Sequence, residues 1–389
     1  MRNTGTSHLF IVETPFQLLV ALSFCEANEN LLEECAIDIA IYAQFEKAAD
    51  YIERLKQCGR FREVYLVPPF YGKTKREGLN HTIEILGSGR ENRRRFFENC
   101  PFFCDKNYDV IYAAGATRLP VDVKQFCGED ACTVLLEDGA GSRNGAIFKA
   151  FSFVEPIATA GVPLSFEERV KSLGKRVIDC VTGGRLRLCS RELWLFSPDQ
   201  AVRDRFPDLD IREIPKECAT GELVTLVMRP DSSGGCLPRV IFFAIPRLTS
   251  GAVVNVQEDI VALLADSDGW DAIARRHPRD TDMPLPSSLV SEEDVDSWEV
   301  LYGTGAVRPD AVLVGFGSTA QVSPKTIYDA EPYQVFLHRL LPPDSLMRIA
   351  AQSVMDELQS RYTERGRIFA PASMEEVRET IDSILEQTV

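Results

Sequence analysis

Short apolar runs alternate with longer helix-like segments along most of this chain, and that alternation limits the possible folds more than any other feature. Leu9-Phe10-Ile11-Val12 reads as a buried strand, with Thr14 as a helix cap and Pro15 at the first helical position. The helix continues through Gln17, Leu18, Leu19, Ala21, Leu22 and Phe24. Ala36 to Tyr42, Glu63 to Val67, Tyr108 to Tyr112, Thr133 to Leu136 and Leu193 to Phe196 read as further strands. A helix from Phe45 to Cys58 stops at Gly59. Strands separated by helices in this way predict a largely parallel sheet with both faces covered.

The second half repeats the style. Arg239 to Ala244 reads as a strand closed by Pro246, and Val256 to Ala265 as a helix. Trp270 to Arg275 leads into a His-Pro segment, Trp298 to Tyr302 is short and apolar, Ala311 to Val314 is a strand, and Tyr333 to Leu341 adds an apolar element. The stretch 217–238 mixes Gly, Ser, Pro and Asp and reads as a linker. A chain of 389 residues is too long for one ordinary core. The expected division is an N-terminal Rossmann-like domain over residues 1–216 and a C-terminal nucleotide-binding domain over 217–389. The closing helix, Ser373 to Gln387, carries Val377, Ile381 and Leu385 at helical spacing and is expected to pack back on the N-terminal domain. The fold class is α/β, with two Rossmann-like domains facing across a cleft, and ligands belong at the carboxyl ends of the strands.

The charge balance matters for partners: 43 Lys and Arg against 58 Asp and Glu leave a formal net charge of −15, which argues against nucleic-acid binding. Eleven cysteines without a CxxC pair and only four histidines predict neither a disulfide framework nor a structural zinc site. Cys132 and Cys189 read as small hydrophobes, and a reducing cytoplasm is the expected compartment. Leu9 to Phe24 carries Glu13, Pro15 and Gln17, too polar and short for a transmembrane segment, and it lacks signal-peptide features. Peripheral association with the inner face of a membrane stays open.

Three polar segments interrupt the apolar pattern at element ends, where loops build sites. Glu137-Asp138-Gly139 follows a buried strand, and a carboxylate there can take a proton from an incoming hydroxyl. An acidic turn capping a helix is the plain alternative. His277-Pro278 lies among Arg275, Arg276 and Arg279, so a bound phosphate would favour the imidazolium and make His277 a leaving-group acid. The alternative is a histidine packed at a loop corner. Gly317-Ser318-Thr319 follows the strand Ala311 to Val314, and glycine with hydroxyls at a helix start can donate to a phosphate or simply cap the helix. Gly115-Ala116-Thr117-Arg118 follows a strand and lines the expected cleft. Arg90, Arg93, Arg94 and Arg95 read as a solvated helix face, His338 as a core residue, and Asp280 and Asp282 as loop carboxylates.

Taken in order, Glu137-Asp138-Gly139, His277-Pro278 and Ser318-Thr319 resemble the motif series of bacterial sialyltransferases. The match is nearest to glycosyltransferase family 52, the lipooligosaccharide sialyltransferases, with the polysialyltransferases as relatives. Glu13-Thr14-Pro15-Phe16-Gln17-Leu18 is similar to that family's first strand-to-helix turn. The resemblance implies a GT-B fold and inverting transfer from a CMP-activated nonulosonic acid to a surface glycan, with no metal and no cofactor beyond the CMP-sugar. It implies Asp138 as base and His277 as the group that protonates or hydrogen-bonds the departing phosphate. Gly317, Ser318, Thr319, Pro278 and Arg279 would bind the donor. Glu299 would hold the ribose hydroxyls, with Trp298 standing where the pattern has proline. Gln17, Glu137, Gly139 and Arg118 would bind the acceptor or line the cleft, Gln17 near the donor sugar or the acceptor. Dimerisation is common in that family, so a homodimer is one expectation. A UDP-sugar donor on the same fold, or a non-catalytic glycan-assembly protein, is the competing reading.

Overall fold

The computed structural model describes residues 5–70, 89–114, 118–139, 142–143, 190–230, 236–245, 251–267, 269–277, 283–290 and 296–387. The chain divides into two compact units, residues 1–44 with 48–214 and residues 45–47 with 215–389. In the second unit Lys47 pairs with Asp296.

The first unit is built on seven parallel strands: β1 (Ser7–Val12), β2 (Ala36–Tyr42), β3 (Glu63–Val67), β4 (Val110–Ala113), β5 (Cys132–Leu136), β6 (Glu192–Phe196) and β7 (Asp210–Ile214). Their order is β3-β2-β1-β4-β5-β6-β7, a Rossmann order that reverses between β1 and β4. β1 is almost wholly buried, as an apolar run flanked by parallel neighbours must be. One face packs Leu9 and Ile11 against Phe96, Phe103, Leu119 and Val123. The other is aromatic: Phe10 stacks on Tyr112 at 4.2 Å, and Phe24 meets Trp194 edge-on at 4.9 Å. Asp38, fully buried on β2, is answered by two Arg62 contacts at 2.7 and 2.8 Å and by the Tyr108 hydroxyl at 2.8 Å. Cys132, expected inside, is exposed at the start of β5, and Cys189 lies outside the described residues.

The second unit has five parallel strands: β8 (Val240–Phe243), β9 (Ala272–Arg275), β10 (Val312–Gly315), β11 (Tyr333–Phe336) and β12 (Ile368–Phe369). Their order, β12-β11-β10-β8-β9, is the flavodoxin-like arrangement, reversing between β8 and β10. Two Rossmann-like α/β units are thus what the alternation foretold. Two expectations fail. The closing helix, Met374–Gln387, packs Val377, Ile381 and Ile384 into the core of its own unit beside Val240 and Phe242, and Arg239 donates to the carbonyls of Ile384 and Leu385. The supposed linker is partly structured: Glu222–Met228 is a helix that buries Leu223, Val224, Val227 and Met228.

An ionic cluster anchors the start of β11. Glu331 accepts from Lys325 at 2.6 Å and from the backbone N–H groups of Thr363 and Glu364 at 2.8 and 2.9 Å. Burial alone would raise its pKa, but these donors outweigh it and hold the carboxyl at about 2. A depressed folded-state pKa contributes stability above the ordinary glutamate range, lost as pH falls toward 2. Glu331→Gln should therefore cost about 1–2 kcal/mol at neutral pH, after allowing for solvent screening. Thermal melts of variant and wild type should converge as the pH falls to about 2; a constant gap across that range would contradict this account.

Candidate functional site

The carboxyl edge of the first sheet gathers the acidic turn. β1 ends at Val12, and Thr14 caps the helix Pro15–Ala27 by accepting from the Gln17 N–H at 3.2 Å. Gln17, 3% exposed, accepts the Glu13 N–H on Oε1 at 2.7 Å and donates from Nε2 to Asp138 Oδ1 at 2.5 Å. β4 lies between β1 and β5, so this contact reaches over the end of β4, about 10 Å of sheet. It also brings Asp138 to the first turn of a helix, whose dipole favours a carboxylate. Asp138 is half-buried, and its N–H donates to Ser142 Oγ at 2.7 Å. Gly139 follows with φ +88°, the left-handed conformation that favours glycine, and its carbonyl accepts from Ser142 N–H at 3.0 Å.

Glu137 is turned into the core, which corrects the expectation that it binds the acceptor or lines the cleft. It is 2% exposed and accepts from Arg143 Nε at 2.8 Å, from Arg143 Nη2 at 3.2 Å and from the Phe196 N–H at 2.7 Å. Arg143, 1% exposed, also donates to the Phe196 carbonyl. Glu137 is therefore a buried staple between the ends of β5 and β6, and Asp138 is the member of the turn left half-exposed. Arg118 begins the helix Arg118–Cys127; residues 115–117 lie outside the described residues.

In the second unit, β9 and β10 flank β8, and the remaining motifs follow their carboxyl ends. His277 stands two residues beyond β9 and is half-buried. Two of the guanidinium groups expected around it have partners elsewhere. Arg275 is buried, donates to the Asp296 carbonyl at 2.6 Å and lies over the Trp298 ring at 5.9 Å, while Arg276 donates to the Met283 carbonyl at 2.9 Å. Pro278, Arg279, Asp280 and Asp282 lie outside the described residues.

After β10 the chain turns at Gly317, φ +80°, and enters the helix Thr319–Tyr328. Gly317 donates its N–H to Gln321 Oε1 at 2.7 Å, so that N–H is not offered to a ligand. The approach is close: a Cβ on Gly315 would lie 2.7 Å from the same oxygen. Ser318 is the N-cap residue but makes no side-chain cap bond, and its buried Oγ has no hydrogen-bond partner. An unpartnered hydroxyl at a helix start is the kind of group that can meet an anion. Glu299 sits in the first turn of the helix Trp298–Gly303, 5% exposed, within 3.2 Å of Ser297 Oγ. Burial pushes its pKa up, offset in part by hydrogen bonds and Arg275. His338 is a core residue as expected: fully buried, bonded to Gln352 at 2.8 Å, its pKa lowered by burial.

Ser142, Arg143 and Gln321 are the residues that motif reading missed. For Gln321 a local signal exists: it follows the turn glycine by four positions, as Gln17 follows Glu13. Among the described residues no three of His, Cys, Asp and Glu gather as metal ligands, and no helix is long and apolar enough to cross a membrane.

No protein-family model matches this sequence, and no curated protein matches it. Solved structures resemble its architecture. The GT-B domain of a Photobacterium damselae sialyltransferase aligns over 94% of this chain and 100% of its own, with 13% identity and a TM-score of 0.47. A 2,6-sialyltransferase from Photobacterium sp. JT-ISH-224, solved with CMP and lactose, aligns over 94% of this chain and 78% of its own at 11% identity and 0.47. A putative UDP-N-acetylglucosamine 2-epimerase from Listeria monocytogenes aligns over 98% and 88% at 11% identity and 0.44. Likeness at this level assigns no activity to the chain.

Proposed function

We propose that this protein is an inverting GT-B glycosyltransferase that moves sialic acid, or a related nonulosonic acid, from a CMP-sugar to a surface glycan. The observation that carries the reading is the half-exposed Asp138 carboxylate, held by a buried amide at the carboxyl edge of a Rossmann-like sheet. Asp138 takes the proton of the acceptor hydroxyl as its oxygen attacks the anomeric carbon. The bond from that carbon to the CMP phosphate breaks, and configuration inverts. His277 donates a proton or hydrogen bond to the leaving phosphate, while Ser318 and Thr319 hold it at the helix start. The transition state is oxocarbenium-like, so a base, a leaving-group acid and anion donors suffice for this chemistry, and no metal or cofactor is part of the proposal. The place of action is the cytoplasm or the inner face of a membrane, and the chain acts alone or as a homodimer.

Nucleotide release should be measured with CMP-N-acetylneuraminic acid, UDP-glucose and UDP-N-acetylglucosamine, with and without galactoside acceptors such as lactose. The reading requires CMP release that an acceptor accelerates. Release of UDP alone would replace the donor, and release from none would leave a non-catalytic glycan-assembly protein. His277→Ala should slow CMP release about 100-fold; initial rates within twofold of wild type would remove His277 from the mechanism.

A further inference from the structure

Among the described residues, three strand ends carry the same device. After β1, β8 and β10, a buried glutamine from the following helix accepts a backbone N–H of the turn at 2.7 Å: Gln17 from Glu13, Gln257 from Ile245 and Gln321 from Gly317. The three glutamines are 3%, 1% and 0% exposed. The need is plain, since an N–H just past a ladder has no strand partner and cannot be left buried and unanswered. Two of these strands, β8 and β10, flank the reversal of the second sheet, and β1 flanks that of the first.

The amide nitrogens separate them. Gln257 Nε2 donates to the Ile245 carbonyl at 3.1 Å and Gln321 Nε2 to the Leu313 carbonyl at 3.4 Å, so one closes back on its own turn and the other on its own strand. Gln17 Nε2 leaves its own strand and donates to Asp138 Oδ1, on the turn after β5. One amide thus ties the β1 turn and the Asp138 carboxylate together. We infer that Gln17 is the positioning residue of Asp138, fixing the carboxylate orientation from which the acceptor proton is taken. The amide oxygen holds the Glu13 N–H and one amide N–H holds Asp138, so the role assigned to Gln17 runs through Asp138. Ser142 completes the hold by accepting the Asp138 N–H. The inference rests on the reading of Asp138 as the base.

Gln17→Glu isolates the role: it keeps an oxygen for the Glu13 N–H and replaces the donor to Asp138 by a second carboxylate oxygen. The full chain should be assayed with CMP-N-acetylneuraminic acid and galactoside acceptors, alongside Asp138→Asn and the double variant. The expected result is a kcat lowered roughly 30- to 100-fold, as for a misplaced catalytic group, with the donor KM within twofold. The double variant should be no slower than Asp138→Asn alone. A Gln17→Glu kcat within threefold of wild type, or losses that multiply in the double variant, would overturn the inference. Should Gln17→Glu fail to fold, as judged by circular dichroism, Gln17→Asn, which keeps an amide on a shorter arm, is read by the same criteria. Wild type that releases no CMP, or Asp138→Asn at full rate, would instead mark failure of the glycosyl-transfer reading, and the positioning role would fall with it.

Discussion

Asp138→Asn should lower kcat by about 10²–10⁴-fold, the range a general base contributes, while leaving the chain folded. The substitution is close to isosteric, and an asparagine oxygen still accepts from Gln17 Nε2. The backbone N–H of residue 138 still donates to Ser142 Oγ, so the turn keeps both of its ties. What disappears is the capacity to take a proton, because a carboxamide is too weak a base near neutral pH. Donor KM should change little, since the proposed phosphate contacts lie on the second sheet's turn at Ser318 and Thr319. Steady-state kinetics beside circular dichroism checks this. A folded Asp138→Asn variant within tenfold of wild type would remove the base from the account.

Glu137→Ala should instead cost about 3–5 kcal/mol of stability, the toll of breaking a buried ion pair by removing one partner. Glu137 and Arg143 are 2% and 1% exposed, so neither charge has water to fall back on. Without the carboxylate, Arg143 keeps its charge inside the protein, and the Phe196 N–H loses its acceptor. The site matters because β5 and β6 pair through only Leu135 with Leu193 and Leu136 with Trp194. The ion pair extends a short ladder by one side-chain clamp, on the residue next to Asp138. Calorimetry should show the transition of the first unit lowered by about 10 °C, and the Phe196 amide should lose hydrogen-exchange protection. An unchanged midpoint would mean that the pair is not what joins the two strand ends.

Much of this architecture was legible in the sequence because central parallel strands are largely apolar. β1 and β10 fall within two residues of where Leu9–Val12 and Ala311–Val314 place them. β7 escaped notice for the opposite reason: as an edge strand it exposes Asp210, Arg212 and Glu213, and charge of that kind discourages stray pairing while hiding the strand pattern. The helix Leu346–Arg361 and the buried helix inside the supposed linker were also missed, since Gly, Ser and Pro nearby dominated the reading. The closing helix showed its apolar face plainly, but periodicity says which face is buried and not against which core.

At the site, element ends were legible and side-chain direction was not. Glu137 and Asp138 are adjacent carboxylates, yet one turns in and the other stays half-exposed. Arg143 decides the difference from six positions on. Gly317 was expected to present its backbone to a phosphate, but the buried Gln321 takes its N–H. Two of the guanidinium groups counted around His277 by sequence, those of Arg275 and Arg276, donate to the Asp296 and Met283 carbonyls. Such pairings are set by packing, which spacing alone does not encode.

A crystal structure of the full chain with CMP would decide where the leaving group goes. The account predicts phosphate oxygens within about 3.2 Å of Ser318 Oγ, of the Thr319 N–H and of the His277 ring. A phosphate bound away from the turn after β10, with Ser318 Oγ still unpartnered, would contradict it.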